Sequence, residues 1–269
     1  MDTTVKDMLE SEEGTEAADG PAWKKASGMH YIKFLRSVHE KLLFDLYFEI
    51  GTCNGHSLYP SRSRTVAVDP YFRVKDNAIG VKPELHVFQC GSDEFFERDF
   101  LKRNDMKISF GFLDGMHLFE YLLRDFINAE RNCREGAVLA LHDCCPYNFT
   151  IQTRDLNHLP RDAWTGDVWK LLPVLRKYRP DLTLTVLACA PTGLVLVTGL
   201  DPENDKLSRH YDEILSDWVD VEMRDYGVDR FNESFEFHLP RKVIGDGFSL
   251  FAGAAMENAV PLAPVKVST

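Results

Sequence analysis

Apolar residues fall in short runs separated by polar turns, and these runs alternate with stretches in which apolar positions recur every three or four residues. From Met29 to Leu43 the positions Ile32, Leu35, Val38 and Leu42 follow that helical step, which predicts an amphipathic helix. Leu46 to Ile50 is a short apolar run ending at a glycine turn, and Val66 to Pro70 is another ending at a proline. Both predict buried parallel strands. Three further runs, Leu85 to Phe88, Ile108 to Leu113 and Ala137 to Leu141, each end in a polar cluster. Between the last two, Leu118, Tyr121, Leu122, Phe126 and Ile127 share a helical face, and Glu135-Gly136 supplies a stop before the next strand. Alternation of strand and helix predicts an α/β doubly wound sheet.

Beyond Asp143 the pattern changes. An irregular stretch from Cys144 to Gly166 precedes a helix predicted over Asp167 to Tyr178. Leu182 to Leu187 and Leu194 to Val197 are then separated by only Ala188 to Gly193, too short for a helical crossover, so the two must pair antiparallel. Leu207 to Met223 predicts a last helix, and Arg224 to Thr269 shows no clear period. Met1 to Pro21 carries seven acidic residues against one lysine and no aromatic residue, too little apolar surface to offset the entropy of ordering. The expected organisation is an acidic disordered tail over 1–28, one domain over 29–225, and a C-terminal extension of no assigned role over 226–269.

Composition narrows the function. With 44% hydrophobic residues in 269, one sizeable core is affordable. The net charge of −11 offers no broad basic footprint, so a nucleic-acid partner is not expected and a small-molecule acceptor is. Six cysteines without a C-x-x-C pair indicate neither a zinc knuckle nor a disulfide framework and suit a reducing cytoplasm. No apolar run approaches the ~20 residues that cross a bilayer, and the N-terminus is acidic where a secretory leader is basic and then apolar. A cytoplasmic protein off the membrane is expected, with the N-terminal helix available as a homo-oligomer contact.

The candidate chemistry begins after the first strand. In Glu49-Ile50-Gly51-Thr52-Cys53-Asn54-Gly55-His56-Ser57, two glycines four residues apart permit a tight turn and close ligand approach. That loop alone fits a structural turn equally well. Asp69, at the end of the second strand, adds a carboxylate placed to accept both hydroxyls of a ribose. The loop lacks the third glycine of G-x-G-x-x-G, so a pyrophosphate loses part of its cradle. This disfavours NAD and suits S-adenosylmethionine, which has no phosphate and whose amino-acid end Glu49 and the loop could hold.

The run E-I-G-T-x-x-G-x-S, the V-D-P at Val68 to Pro70, F-L-D-G-M-H at Phe112 to His117 and L-H-D at Leu141 to Asp143 resemble the class I S-adenosylmethionine-dependent methyltransferases, over roughly Met29 to Leu200. The resemblance implies a Rossmann-like seven-stranded, mostly parallel sheet in the order 3-2-1-4-5-7-6, its last strand antiparallel, with helices on both faces. It also implies a cofactor set of Glu49, Gly51, Gly55, Ser57, Asp69 and Asp114, with Gly91, Ser92 and Asp93 flanking the adenine. Ser92-Asp93 fits a helix cap before Glu94 equally well.

Asp114 and His117 follow the fourth strand and His142-Asp143 end the fifth, so all four converge on one sheet edge, where ligands gather in open α/β folds. Two carboxylates and a histidine suit a hard divalent ion, magnesium first, that orients a substrate hydroxyl. Metal-dependent sugar O-methyltransferases resemble this block, which implies Asp114 and Asp143 as metal ligands and His117 as general base. The chain departs from them at His142, where that subgroup has an acid, and at Cys144, where catechol-type enzymes have asparagine. A metal-free mechanism with His117 or His142 as base therefore stays open, a histidine pKa near neutrality being suited to proton removal. So does a purely structural role, with Asp114 capping the next helix.

Trp164, Asp167, Trp169 and Lys170 are candidates for a substrate wall, with Trp169 equally a core anchor. Arg154, His158 and Arg161 read as solvated. The expected function is methylation of a hydroxyl on a small molecule or sugar; the alternative is an S-adenosylmethionine- or nucleotide-binding protein without transferase activity, which would not need Asp114, His117 and Asp143.

Overall fold

The computed structural model describes residues 22–161 and 163–256, so the acidic stretch 1–21 and the last thirteen residues lie outside it. Seven strands form one sheet: β1 (Leu46–Ile50), β2 (Arg64–Val68), β3 (Leu85–Phe88), β4 (Ile108–Leu113), β5 (Cys133–His142), β6 (Thr183–Leu187) and β7 (Leu194–Thr198). Their order is β3-β2-β1-β4-β5-β7-β6, with β7 antiparallel to both neighbours. This is the topology that the short β6–β7 connection and the family resemblance imply. The helices are α1 (Tyr31–Lys41), α2 (Ser92–Glu97), α3 (Phe100–Arg103), α4 (Phe119–Arg131), α5 (Leu171–Tyr178), α6 (Lys206–Arg209), α7 (Tyr211–Trp218), α8 (Met223–Tyr226), α9 (Val228–Glu233) and α10 (Pro240–Gly245).

Strand alternation divides the core into two layers. Leu46, Phe48 and Ile50 of β1 and Ala137, Leu139 and Leu141 of β5 face a layer completed by α2, α4 and α5. Tyr47 of β1 and Val138 and Ala140 of β5 face the other, closed by Phe34, Leu35 and Val38 of α1 and Val243 of α10. The period of two in the strands and of 3.6 in the helices meets across the sheet, so helices cover both faces.

Five local expectations change. β5 starts at Cys133, not Ala137, because the register against β4 jumps between Ile108 and Phe110 and absorbs the Glu135-Gly136 turn as an irregularity inside the strand. The helix expected from Asp167 opens as a 3-10 turn over Val168–Lys170 before α5. The helix expected over Leu207 to Met223 is broken into α6 and α7, with Val219 to Glu222 outside any helix. The stretch after Arg224 carries α9 and α10, whose Val228, Phe231 and Val243 are buried, as are Phe248 and Phe251 beyond them. Residues 22–28 are also packed: Ala26 is buried, Trp23 meets Phe149 edge-on, and the Gly28 N–H donates to the Ala188 carbonyl. Among the described residues, no helix is long and apolar enough to cross a membrane.

Candidate active site

The C-terminal ends of β1, β2, β4 and β5 converge as the parallel order requires, and a cavity of about 580 Å³ opens there. Its lining includes Gly51, Ser57, Asp69, Ser92, Asp93, Asp114 and His117, residues that the sequence separates by up to 66 positions. Glu49 and Gly55 do not line it. Glu49 is fully buried within β1, where the Tyr47 hydroxyl donates to its Oε2 at 2.6 Å. Burial raises the Glu49 pKa, while the hydrogen bond from Tyr47 pulls the other way.

The glycine loop is held from both sides. Gly51 has φ +85°, and a Cβ on it would lie 1.8 Å from the Asp114 carbonyl oxygen, so this position requires glycine. Asp69 accepts the Cys53 N–H at 2.8 Å through Oδ2 and the Tyr71 N–H at 2.6 Å through Oδ1. Each carboxylate oxygen keeps a second lone pair for a ligand hydroxyl. At the far end Ser92 opens α2 and makes no cap hydrogen bond, while Asp93 is clamped by the Arg124 guanidinium at 2.8 to 3.1 Å.

Asp114, His117, His142 and Asp143 do meet. His142 Nδ1 lies 3.0 Å from Asp114 Oδ1 and 3.3 Å from Asp143 Oδ2, and His117 Nε2 lies 3.5 Å from Asp114 Oδ1. His117 Nδ1 is 2.5 Å from the Trp164 carbonyl oxygen and 3.3 Å from Asp143 Oδ2, and the Trp164 ring stacks on the imidazole at 4.8 Å. With Nδ1 donating to Trp164, Nε2 keeps its lone pair for a proton or a metal. Asp143 adopts φ +59° and accepts the Thr192 hydroxyl. Asp114 does not cap α4; the first amide of that helix, Phe119 N–H, is taken by Asp167 Oδ1 at 2.8 Å.

These contacts set the charges. Burial would raise the Asp114 pKa, but His142 and His117 hold it down to about 2. Burial would lower His117, but Asp143 and Asp114 raise it to about 9; by the same balance Asp143 and Asp114 bring His142 to about 10. Each imidazole faces two carboxylates, which favours its protonated form and lifts it above the near-neutral value of a free histidine. One donor atom from each of Asp114, His117 and Asp143 can be chosen so that all three lie within 4.8 Å of one another, a set that suits a divalent cation.

No protein family's sequence profile matches the chain, and no curated protein matches it. Solved structures do. The O-methyltransferase from Bacillus cereus in complex with SAH aligns at 15% identity over 62% of this chain and 79% of its own, TM-score 0.45. The O-methyltransferase TomG from Streptomyces achromogenes, in complex with SAM, aligns at 18% identity over 62% and 77%, TM-score 0.43. MycE methyltransferase from the mycinamycin biosynthetic pathway, with Mg and SAH, aligns at 14% identity over 71% and 54%, TM-score 0.42.

The substrate-wall candidates divide. Trp164 faces His117, whereas Trp169 is core and Lys170 is buried, donating to Asp167 Oδ2 and the Val219 carbonyl. Arg154, expected to be solvated, binds Glu120 and Asp167. Two neighbours of the site escaped sequence reasoning. Tyr31 lines the cavity and its ring lies 3.8 Å from that of His142. Asp125 of α4 is 2% exposed beneath Ser92 and Gly115.

Proposed function

We propose that the chain binds S-adenosylmethionine in this cavity and methylates a hydroxyl group of a small molecule or sugar. The observation that carries the reading is the convergence of the glycine loop, Asp69, Asp114 and His117 on one cavity at the C-terminal sheet edge, with Asp143 set against His117. A protein that only bound a nucleoside would need the first two and not the third. When bound, the cofactor supplies a methyl group on a sulfonium, electrophilic without further activation.

The chain's share of the work is binding, orientation and proton handling. Gly51 lets the loop approach the ligand, and Asp69 accepts the ribose hydroxyls. Trp164 stacks on the His117 ring and fixes it, so that an acceptor hydroxyl has one imidazole edge to meet. His117 Nε2 receives the acceptor's proton once its own proton has left. Asp114 and Asp143 would hold magnesium, which would lower the pKa of a bound hydroxyl and displace the protons these carboxylates now stabilise on the histidines.

Two measurements test this. Calorimetric titration with S-adenosylmethionine should give saturable binding, NAD should give none, and Asp69→Ala should weaken the cofactor by about 30-fold, the loss of ~2 kcal/mol in hydrogen bonds to a charged group. Equal affinity in Asp69→Ala and wild type would remove Asp69 from the site. For the metal, manganese or magnesium titration should show one site that Asp143→Asn abolishes. Absence of saturable binding would leave the histidines alone to handle the proton.

A further inference from the structure

The cavity has two ends, and Glu49, the residue expected to hold the cofactor's amino-acid end, does not line it. Asp69, Ser92 and Asp93 mark the end that suits a nucleoside. At the other end stand Asp114, His117 and Tyr31, the first residue of α1. The Tyr31 ring is packed against His142 at 3.8 Å and against His30 at 4.8 Å, with Phe112 at 6.1 Å. Aromatic packing of this kind fixes the ring.

Its hydroxyl is in a different situation. Burial first, then the charges of Asp114, Asp143 and Glu49, and lastly Cys53, push the phenol pKa far upward. Tyr31 and Asp114 line the same cavity. Among the described residues no hydrogen bond to this hydroxyl contributes to that shift. A phenol that stays neutral, is held rigidly and lacks a partner is pre-organised for a ligand. Asp114, on the same cavity wall, favours a cationic group here and disfavours an anionic one.

We propose that the Tyr31 hydroxyl is a binding residue for the ammonium of the cofactor's amino-acid end, accepting an N–H from it beside the Asp114 carboxylate. The inference rests on the S-adenosylmethionine reading and adds to it a polarity: nucleoside against Asp69, amino acid against Tyr31. It also makes α1 part of the binding site. A helix that covers one face of the sheet thereby carries the residue that closes the reaction end.

Two ligands separate this role from a structural one. S-adenosylhomocysteine and 5′-methylthioadenosine share the thioether nucleoside and differ in the amino-acid end. Titrated calorimetrically into the full chain, Tyr31→Phe keeps the ring stack on His142 and should weaken S-adenosylhomocysteine about 10-fold, the scale of one hydrogen bond to a charged group, while leaving 5′-methylthioadenosine within about twofold of wild type. Tyr31→Leu removes the stack as well and should weaken S-adenosylhomocysteine further. An equal change for both ligands in Tyr31→Phe, or no change for either, overturns the proposal. Wild-type protein that binds neither ligand overturns the cofactor reading, and this inference with it.

Discussion

Replacement of Gly51 by alanine is expected to abolish cofactor binding, at least 100-fold in affinity, and to lower the melting temperature by several degrees. Two independent penalties act at this position. Its φ of +85° lies where a side chain is strained, at a cost of ~1–2 kcal/mol. The added methyl would also stand 1.8 Å from the Asp114 carbonyl oxygen and 2.9 Å from the Gly115 nitrogen, both backbone atoms that cannot rotate away. Both sides are pinned, Gly51 N–H to the Val68 carbonyl of β2 at 2.9 Å and Asp114 N–H to the Ile50 carbonyl of β1 at 3.0 Å. Relief of the clash must therefore part β1 from β4 and carry Asp114 away from His142. Overpacking of this kind adds ~1–3 kcal/mol, and each kcal/mol is worth about 2–4 °C in a chain of this size. Gly245→Ala, in α10 with open space around its Cβ and no positive φ, is the control and should melt and bind as wild type. Wild-type titration of S-adenosylhomocysteine into Gly51→Ala would show that the loop yields without consequence and is not the cofactor cradle.

How much of this was legible follows from how each signal is written in a chain. β1 and β4 begin and end where their apolar runs do, because a strand buried on both faces has no polar position to blur its edges; β3, the partly exposed edge strand, matches its run Leu85 to Phe88 as well. The antiparallel pairing of β6 with β7 followed from loop length, whereas the place of β7 beside β5 came only from the family resemblance. Asp69, Asp114, His117 and Asp143 were placed together because strand ends in a parallel sheet must share an edge. What stayed hidden depends on contacts between distant segments. Tyr31 looks like one more apolar position on a helix, and only the fold brings it to His142, 111 residues away. Short helices such as α8 and α9, of four and six residues, are too brief to establish a period, although Phe231 is core. The histidine pKa values depend on which carboxylates face them, which sequence cannot state.

Asp125→Asn is expected to stabilise the protein, and to do so only when the pH is high enough. Asp125 is 2% exposed, its Oδ1 has no partner among the described residues, and burial raises its pKa from 3.8 to about 7 despite a hydrogen bond from Ser92. Asp93 adds to the rise and Arg124 opposes it. The folded carboxyl thus holds its proton where the unfolded one has lost it. Stability from this group is fully present below pH ~4, falls as the pH climbs toward 7, and stays low above. Three pKa units set a ceiling of ~4 kcal/mol, and relaxation around the charge reduces the expected cost to ~1–3 kcal/mol. Asparagine keeps the shape and removes the charge. Denaturant melts across pH 4 to 9 should show the variant equal to wild type at the acid end and ~1–3 kcal/mol more stable at pH 8. A difference that is constant with pH would mean that Asp125 is not the titrating group. The site connection makes the same variant informative in binding, since Ser92 and Gly115, which line the cavity, rest on this carboxyl. If the charge serves only the fold, S-adenosylhomocysteine affinity stays unchanged while stability rises; a parallel loss of affinity would show that the cost in stability sustains the nucleoside end of the site.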